Sequence, residues 1–133
     1  MRSTAVRALV ELATSADCRD RADAGRALAS FAEMPEARAA LARVVVDPED
    51  TFVTLVTAEA LLRRSDAKGL SLVAAALAET DDQQHAQIQE SVSRVFLLYA
   101  SERDAALALC ASLPDGALLA ALLSEIEPIL YPA

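Results

Sequence analysis

A small-residue pattern returns along this chain at a spacing that stacked helical pairs use. It reads Asp20-Arg21-Ala22-Asp23-Ala24-Gly25-Arg26-Ala27-Leu28-Ala29, then Val53-Thr54-Leu55-Val56-Thr57-Ala58-Glu59-Ala60-Leu61-Leu62, and more loosely Ile88 through Leu97. Ala27, Ala60 and Val95 align at steps of 33 and 35 residues, within the period range of tandem α-hairpins. A second set repeats in step: Ala37, Ala40, Leu41 and Val44 stand 33 residues before Leu70, Val73, Ala74 and Leu77. Ala106, Leu109, Cys110 and Leu113 follow 36 residues later, so a two-helix unit is repeating. Such units seal one another's apolar faces and leave outer faces for partners, which implies a binding scaffold without naming what is bound.

Helix starts carry acidic or hydroxyl caps, in places with Pro at the first helical position, where the missing N–H is not needed. Asp47-Pro48-Glu49-Asp50 is the clearest start, Asp66 opens another helix, Met34-Pro35-Glu36 a third, and Thr80-Asp81-Asp82-Gln83 has capping-box spacing. The pattern predicts helices near 3–14, 18–32, 35–46, 49–64, 67–79, 83–100, 103–112 and 115–127. Strand-type alternation is absent, and the one β-branched run, Val44-Val45-Val46, ends a stretch with helical spacing.

Composition agrees. Hydrophobic residues make up 54% of the 133 residues and aromatic ones 4%, with no Trp, so the interior is built from Ala, Leu and Val. A chain of this length buries about 68% of its unfolded surface, enough for a core without metal or disulfide. Cys18 and Cys110 have no CxxC spacing and read as free thiols, Cys110 as a small buried hydrophobe. The net charge of −8 argues against nucleic acid and anionic membranes as partners. Charges at Arg7 and Glu11 interrupt any signal-peptide core, and no apolar run reaches a membrane span, so the chain is expected in the cytoplasm.

The run Arg21, Ala24, Gly25, Arg26, Ala27 and Leu28 resembles the first helix of a HEAT repeat of the bacterial short-unit kind. Asp47 and Asp50, before Val53, are similar to that family's acidic inter-repeat turn. The resemblance covers about residues 17–113. Thr54 and Gln89 stand where the family shows Arg, and Asp20 where it shows Val. It implies an all-α fold, a right-handed α-α superhelix of about 3.5 HEAT-like hairpins with eight helices in one domain, 1–133. Residues 1–16 then form an N-terminal cap helix, 17–47, 48–80 and 81–113 the repeats, and 114–133 a C-terminal cap. It also implies partner binding through the inner row, here Glu36, Arg38, Arg43, Lys68 and Ser71.

At 100° per residue, Val53, Val56, Thr57, Ala60 and Leu61 share the core side of their helix, and Phe52, Leu55 and Leu62 point the other way. The equivalent residues one unit earlier are Arg19, Ala22 and Ala29, which implies solvent there. The apolar trio is then either a contact patch or a face embraced by neighbours. Glu59 lies in that face one turn before Arg63, and Arg26, Glu59 and Arg94 could alternate as a surface ladder. The expected partner-binding set is therefore Phe52, Leu55, Glu59, Leu62 and Arg63. The last helix is apolar nearly all round, so Leu118, Leu119, Leu122 and Leu123 form a second candidate interface, for a homodimer or a protein partner, unless the tail Pro128-Ile129-Leu130-Tyr131 folds back over them.

His85 with Asp81 and Asp82 has helical metal-ligand spacing but lacks a third ligand, so no metal site is assigned. No nucleophile, base and orienting carboxylate come together in the pattern, and no Gly-rich phosphate loop exists. No catalytic residue and no cofactor are expected, and the leading reading is a non-catalytic protein–protein interaction scaffold or adaptor. The alternatives are an enzyme-associated HEAT-like subunit of lyase or DNA-glycosylase type, or a self-associating structural protein. An acidic chain without Trp fits the glycosylase type poorly.

Overall fold

The computed structural model describes residues 2–131. Eight α-helices follow one another: α1 (Arg2–Leu12), α2 (Cys18–Leu28), α3 (Pro35–Val44), α4 (Thr51–Arg63), α5 (Ala67–Leu77), α6 (Asp82–Phe96), α7 (Ala100–Cys110) and α8 (Gly116–Ser124). No strand forms among the described residues. Their one extended pairing is an isolated parallel bridge between Tyr99 and Leu130.

The all-helical expectation holds, with differences at the ends of elements. α2 stops at Leu28 and tightens into a 3-10 turn, Ala29–Phe31. α4 starts at Thr51, two residues after the expected 49, because Asp50 takes the cap position and accepts the Phe52 N–H at 2.8 Å. α6 stops at Phe96, four residues short of the expected 100. Its capping box is Asp81 with Gln84, one residue later than Thr80 with Gln83.

Aspartate caps recur with the units. Asp17, Asp50 and Asp81 cap α2, α4 and α6, each accepting a backbone N–H of the first turn with its carboxylate, and Asp66 does the same for α5. Because those amides have no partner inside the helix, an acidic side chain there both satisfies a donor and meets the positive end of the dipole.

α4 packs against both α2 and α6, and also meets α3 and α5. Behind them α3 adjoins α5, α1 closes on α2 and α3, and α8 fits against α5, α6 and α7. One apolar cluster runs through these contacts from Val6 to Ile126. Gly25 permits the α2–α4 approach: a Cβ at that position would collide with the Thr57 hydroxyl. The Thr54 and Thr57 hydroxyls are buried in this seam and have no hydrogen-bond partner. Ser91 on α6 is equally buried, yet its hydroxyl reaches the Leu55 carbonyl at 2.8 Å.

Arginine side chains tie neighbouring elements through backbone carbonyls. Arg64 donates to Ala29 O at 2.8 Å, Arg38 to Ala32 O and Lys68 O at 3.2 Å each, and Arg103 to Ile126 O at 2.7 Å. Ala29, Ala32 and Ile126 lie at or just past helix ends, where carbonyls lack helical partners and carry the negative end of the dipole.

Candidate interaction surface

The enclosure of α4 divides the expected partner-binding residues. Leu62 is fully buried and Leu55 is 8% exposed, so neither is available to a partner. The repeat equivalence itself explains why. Ala22 on α2 and Ala29 in the turn that follows it, the matching residues one unit earlier, are also buried, so these positions are seams between neighbouring elements and not a solvent face. Phe52 stays 46% exposed, with the Arg26 guanidinium 5.9 Å from its ring centroid. Arg63 is exposed, and Glu59 is half-buried between Arg63 at 3.4 Å and Arg94 at 3.5 Å. One rung of the expected ladder, Glu59 to Arg94, therefore forms. Arg26 pairs instead with Asp23 at 3.7 Å.

The C-terminal leucines are corrected in the same way. Leu119 and Leu123 are fully buried and Leu122 is 6% exposed, because α8 is wedged against three helices; of the four only Leu118 faces solvent. The tail runs beside the α6–α7 junction. Its Ile129 and Leu130 amides donate to Leu97 O and Leu98 O, both at 2.8 Å, and Leu130 O accepts from Ala100 N at 2.9 Å. Of the inner-row residues, Arg38 is tied to Ser71 at 3.1 Å as well as to its two carbonyls, while Glu36, Arg43 and Lys68 are exposed.

The hydrogen bonds of the tail build a feature that the sequence reading missed. Between α6 and α7 the chain bends through Leu97 and Leu98 to an extended Tyr99, and beside it runs Ile129-Leu130-Tyr131, bridged at Tyr99 and Leu130. The backbone of this pair is fixed by the three tail bonds, by Arg103 on Ile126 O, and by burial of Pro128. The side chains nevertheless point outward. Leu97, Leu98, Tyr99 and Leu130 are 43–46% exposed and Ile129 and Tyr131 64%. Single exposed apolar residues are ordinary, but six brought together on a fixed backbone form a patch of the kind that marks contact sites. No local signal announces it, since Phe96 to Ala100 contains neither Gly nor Pro. The helix breaks there because residues some thirty positions away take up its carbonyls.

At the other end of the molecule two charges are enclosed. Arg21 and Asp47, 7% and 5% exposed, meet in a two-pronged pair at 2.8 and 3.2 Å. Arg21 also donates to Ser15 O and Ala16 O, and Asp47 accepts the Glu49 and Asp50 amides. The amide of Gln84 on α6 reaches the carbonyls of Val46 and Asp47 at 3.0 and 3.1 Å. An open groove of about 460 Å³ lies beside this pair, lined by Ser15, Arg43 and Glu49 among others. With the guanidinium and the carboxylate satisfied on the protein side, the pair fastens the α1–α2 turn, α2 and the α3–α4 turn together, and Gln84 ties α6 to the same turn.

The thiols are not activated. A hydrogen bond to Asp50, desolvation and the charge of Asp50 push the Cys18 thiol up, and burial pushes Cys110 up. Both stay protonated at neutral pH, when only the thiolate is strongly nucleophilic. Among the described residues no three His, Cys, Asp or Glu side chains gather as metal ligands, and no helix is long and apolar enough to cross a membrane. Comparison with protein-family models, with curated proteins and with solved structures finds no match.

Proposed function

We propose that this chain is a non-catalytic protein-binding module whose docking face is the strip formed by Leu97 to Tyr99 and Ile129 to Tyr131. The observation that carries this reading is the combination of a backbone held by hydrogen bonds with apolar side chains left in solvent. Folding alone gives no reason for it, since burying those six side chains would add stability. A rigid, pre-shaped patch lowers the ordering cost of association, so the arrangement serves a contact better than a loose tail would.

The scaffold in this reading is a right-handed stack of α-hairpins of the HEAT kind. The recurring aspartate caps, the 33-residue step and the side-by-side α2, α4 and α6 support it. Phe52 and Arg63 are the members of the original patch that remain at the surface. The test is affinity purification from native extract with the wild type and with a Leu98→Ser/Ile129→Ser variant side by side. The reading expects at least one protein retained stoichiometrically by the wild type and lost with the variant, while both are equally folded by circular dichroism. An identical set of retained proteins would overturn it.

A further inference from the structure

Charge around the strip narrows the partner. Residues 81–133 carry eight carboxylates and two arginines, a net −6 out of the chain's −8. Both arginines are engaged within the molecule: Arg94 with Glu59 and Glu90, and Arg103 with Asp104 and the Ile126 carbonyl. Next to the strip, Glu102 follows Tyr99 by three residues in the first turn of α7, and Glu127 precedes Ile129 by two; both are exposed. The apolar strip is therefore flanked in sequence by exposed carboxylates on both of its segments, with no free cation among the flanking residues.

From this, and resting on the docking reading above, we infer that the strip binds an amphipathic helix whose apolar face is bordered by Lys or Arg. Three occupants are separated by charge. A second copy of the chain would set flanking carboxylates against flanking carboxylates, an arrangement that costs binding energy. An anionic membrane would be repelled in the same way. A basic amphipathic segment meets apolar with apolar and acid with base, which favours both fast encounter and correct register.

The experiment uses the full chain and two fluorescent helical peptides of about 18 residues, roughly 27 Å long. Both carry the same Leu face; one has Lys at the polar positions and the other Glu. Anisotropy titrations are run with the wild type, with Leu98→Ser/Ile129→Ser and with Glu102→Lys/Glu127→Lys, and a scrambled Lys peptide of equal composition controls for bulk charge. The expected result is that the Lys peptide binds the wild type about tenfold or more tightly than the Glu peptide, and weakens as salt rises from about 50 to about 500 mM. The serine pair should lose that binding, the lysine pair should lose the preference, and the scrambled peptide should bind weakly.

Equal binding of both peptides, lost in the serine pair, would overturn the basic partner and leave the docking reading standing. Binding of the Lys peptide that the serine pair retains, or that the scrambled peptide matches, would overturn the inference. So would no binding at all, in which case the docking reading is decided separately by the affinity purification. Sedimentation showing a wild-type dimer that the serine pair dissolves would assign the strip to a second copy instead.

Discussion

Where α2 meets the turn before α4, two charged side chains lie inside the protein; where α6 gives way to α7, six apolar side chains lie outside it. Each corner inverts the ordinary rule of burial, and the two inversions are held by different means. Arg21 and Asp47 are tolerated inside because the described contacts answer each of them: the carboxylate takes two guanidinium nitrogens and two backbone amides, and the guanidinium takes two further carbonyls. The apolar strip is held outside because its order depends on backbone hydrogen bonds and on Arg103, not on burial of the side chains. The first corner couples four segments and serves the fold. The second adds nothing to the core and offers a surface.

The comparison is broken most sharply at the buried pair. Asp47→Ala leaves Arg21 enclosed without its carboxylate and should cost about 3–5 kcal/mol in urea or guanidinium unfolding. Because the penalty comes from an unanswered charge, replacing both partners, as in Arg21→Met/Asp47→Leu, should recover most of it. If Asp47→Ala unfolded at the wild-type midpoint, the pair would be ornamental and the contrast between the corners would fall.

Next in size is the seam on which the sequence reading went astray. Leu62→Ala removes most of a fully buried side chain between α4 and its neighbours and should cost about 2–5 kcal/mol, read from the denaturation midpoint. Tolerance of Leu62→Ala within the error of the measurement would return this residue to the surface, where the sequence had allowed it.

That misplacement shows where sequence is informative and where it is not. The helices were legible because they are marked locally, by apolar spacing and, for all but α1 and α7, by an aspartate or proline at the start. Whether Leu55 and Leu62 face water was not, since it depends on α2 and α6 both lying against α4. The periodic pattern records that these positions recur, but not what covers them. Alanine at 22 and 29 reads as a solvent residue in isolation and is a seam residue in the fold. Likewise Arg21 and Asp47 each belong to the recurring pattern, yet their pairing across 26 residues is visible only in space. The strip is the extreme case. Leu97 to Tyr99 continues a helical pattern, and it leaves the helix where the returning tail takes up the Leu97 and Leu98 carbonyls.

A smaller effect, of opposite sign, comes from the α4 hydroxyls. Thr54 is fully buried and its hydroxyl has no partner, so Thr54→Val keeps the shape, removes an unanswered polar group and should raise stability by about 1 kcal/mol. The measurement is the shift in thermal midpoint of the single variant. A fall would mean that the hydroxyl is answered, for instance by a buried water, and the seam would then be polar by design as the Arg21 corner is.

The smallest expected change separates the two corners most cleanly. Leu98→Ser and Ile129→Ser alter side chains that are 46% and 64% exposed, on a backbone anchored by amide–carbonyl bonds that the substitutions leave in place. Each should move the unfolding free energy by no more than about 0.5 kcal/mol, the range of ordinary surface substitutions. Serine differs from leucine and isoleucine chiefly in apolar area, so a near-neutral result means that the fold draws little from that area, and any loss of partner binding in the same variants belongs to the contact itself. A cost near that of Leu62→Ala would show the strip to be a buttress of the α6–α7 corner, and the reason for holding six apolar side chains in solvent would disappear with it.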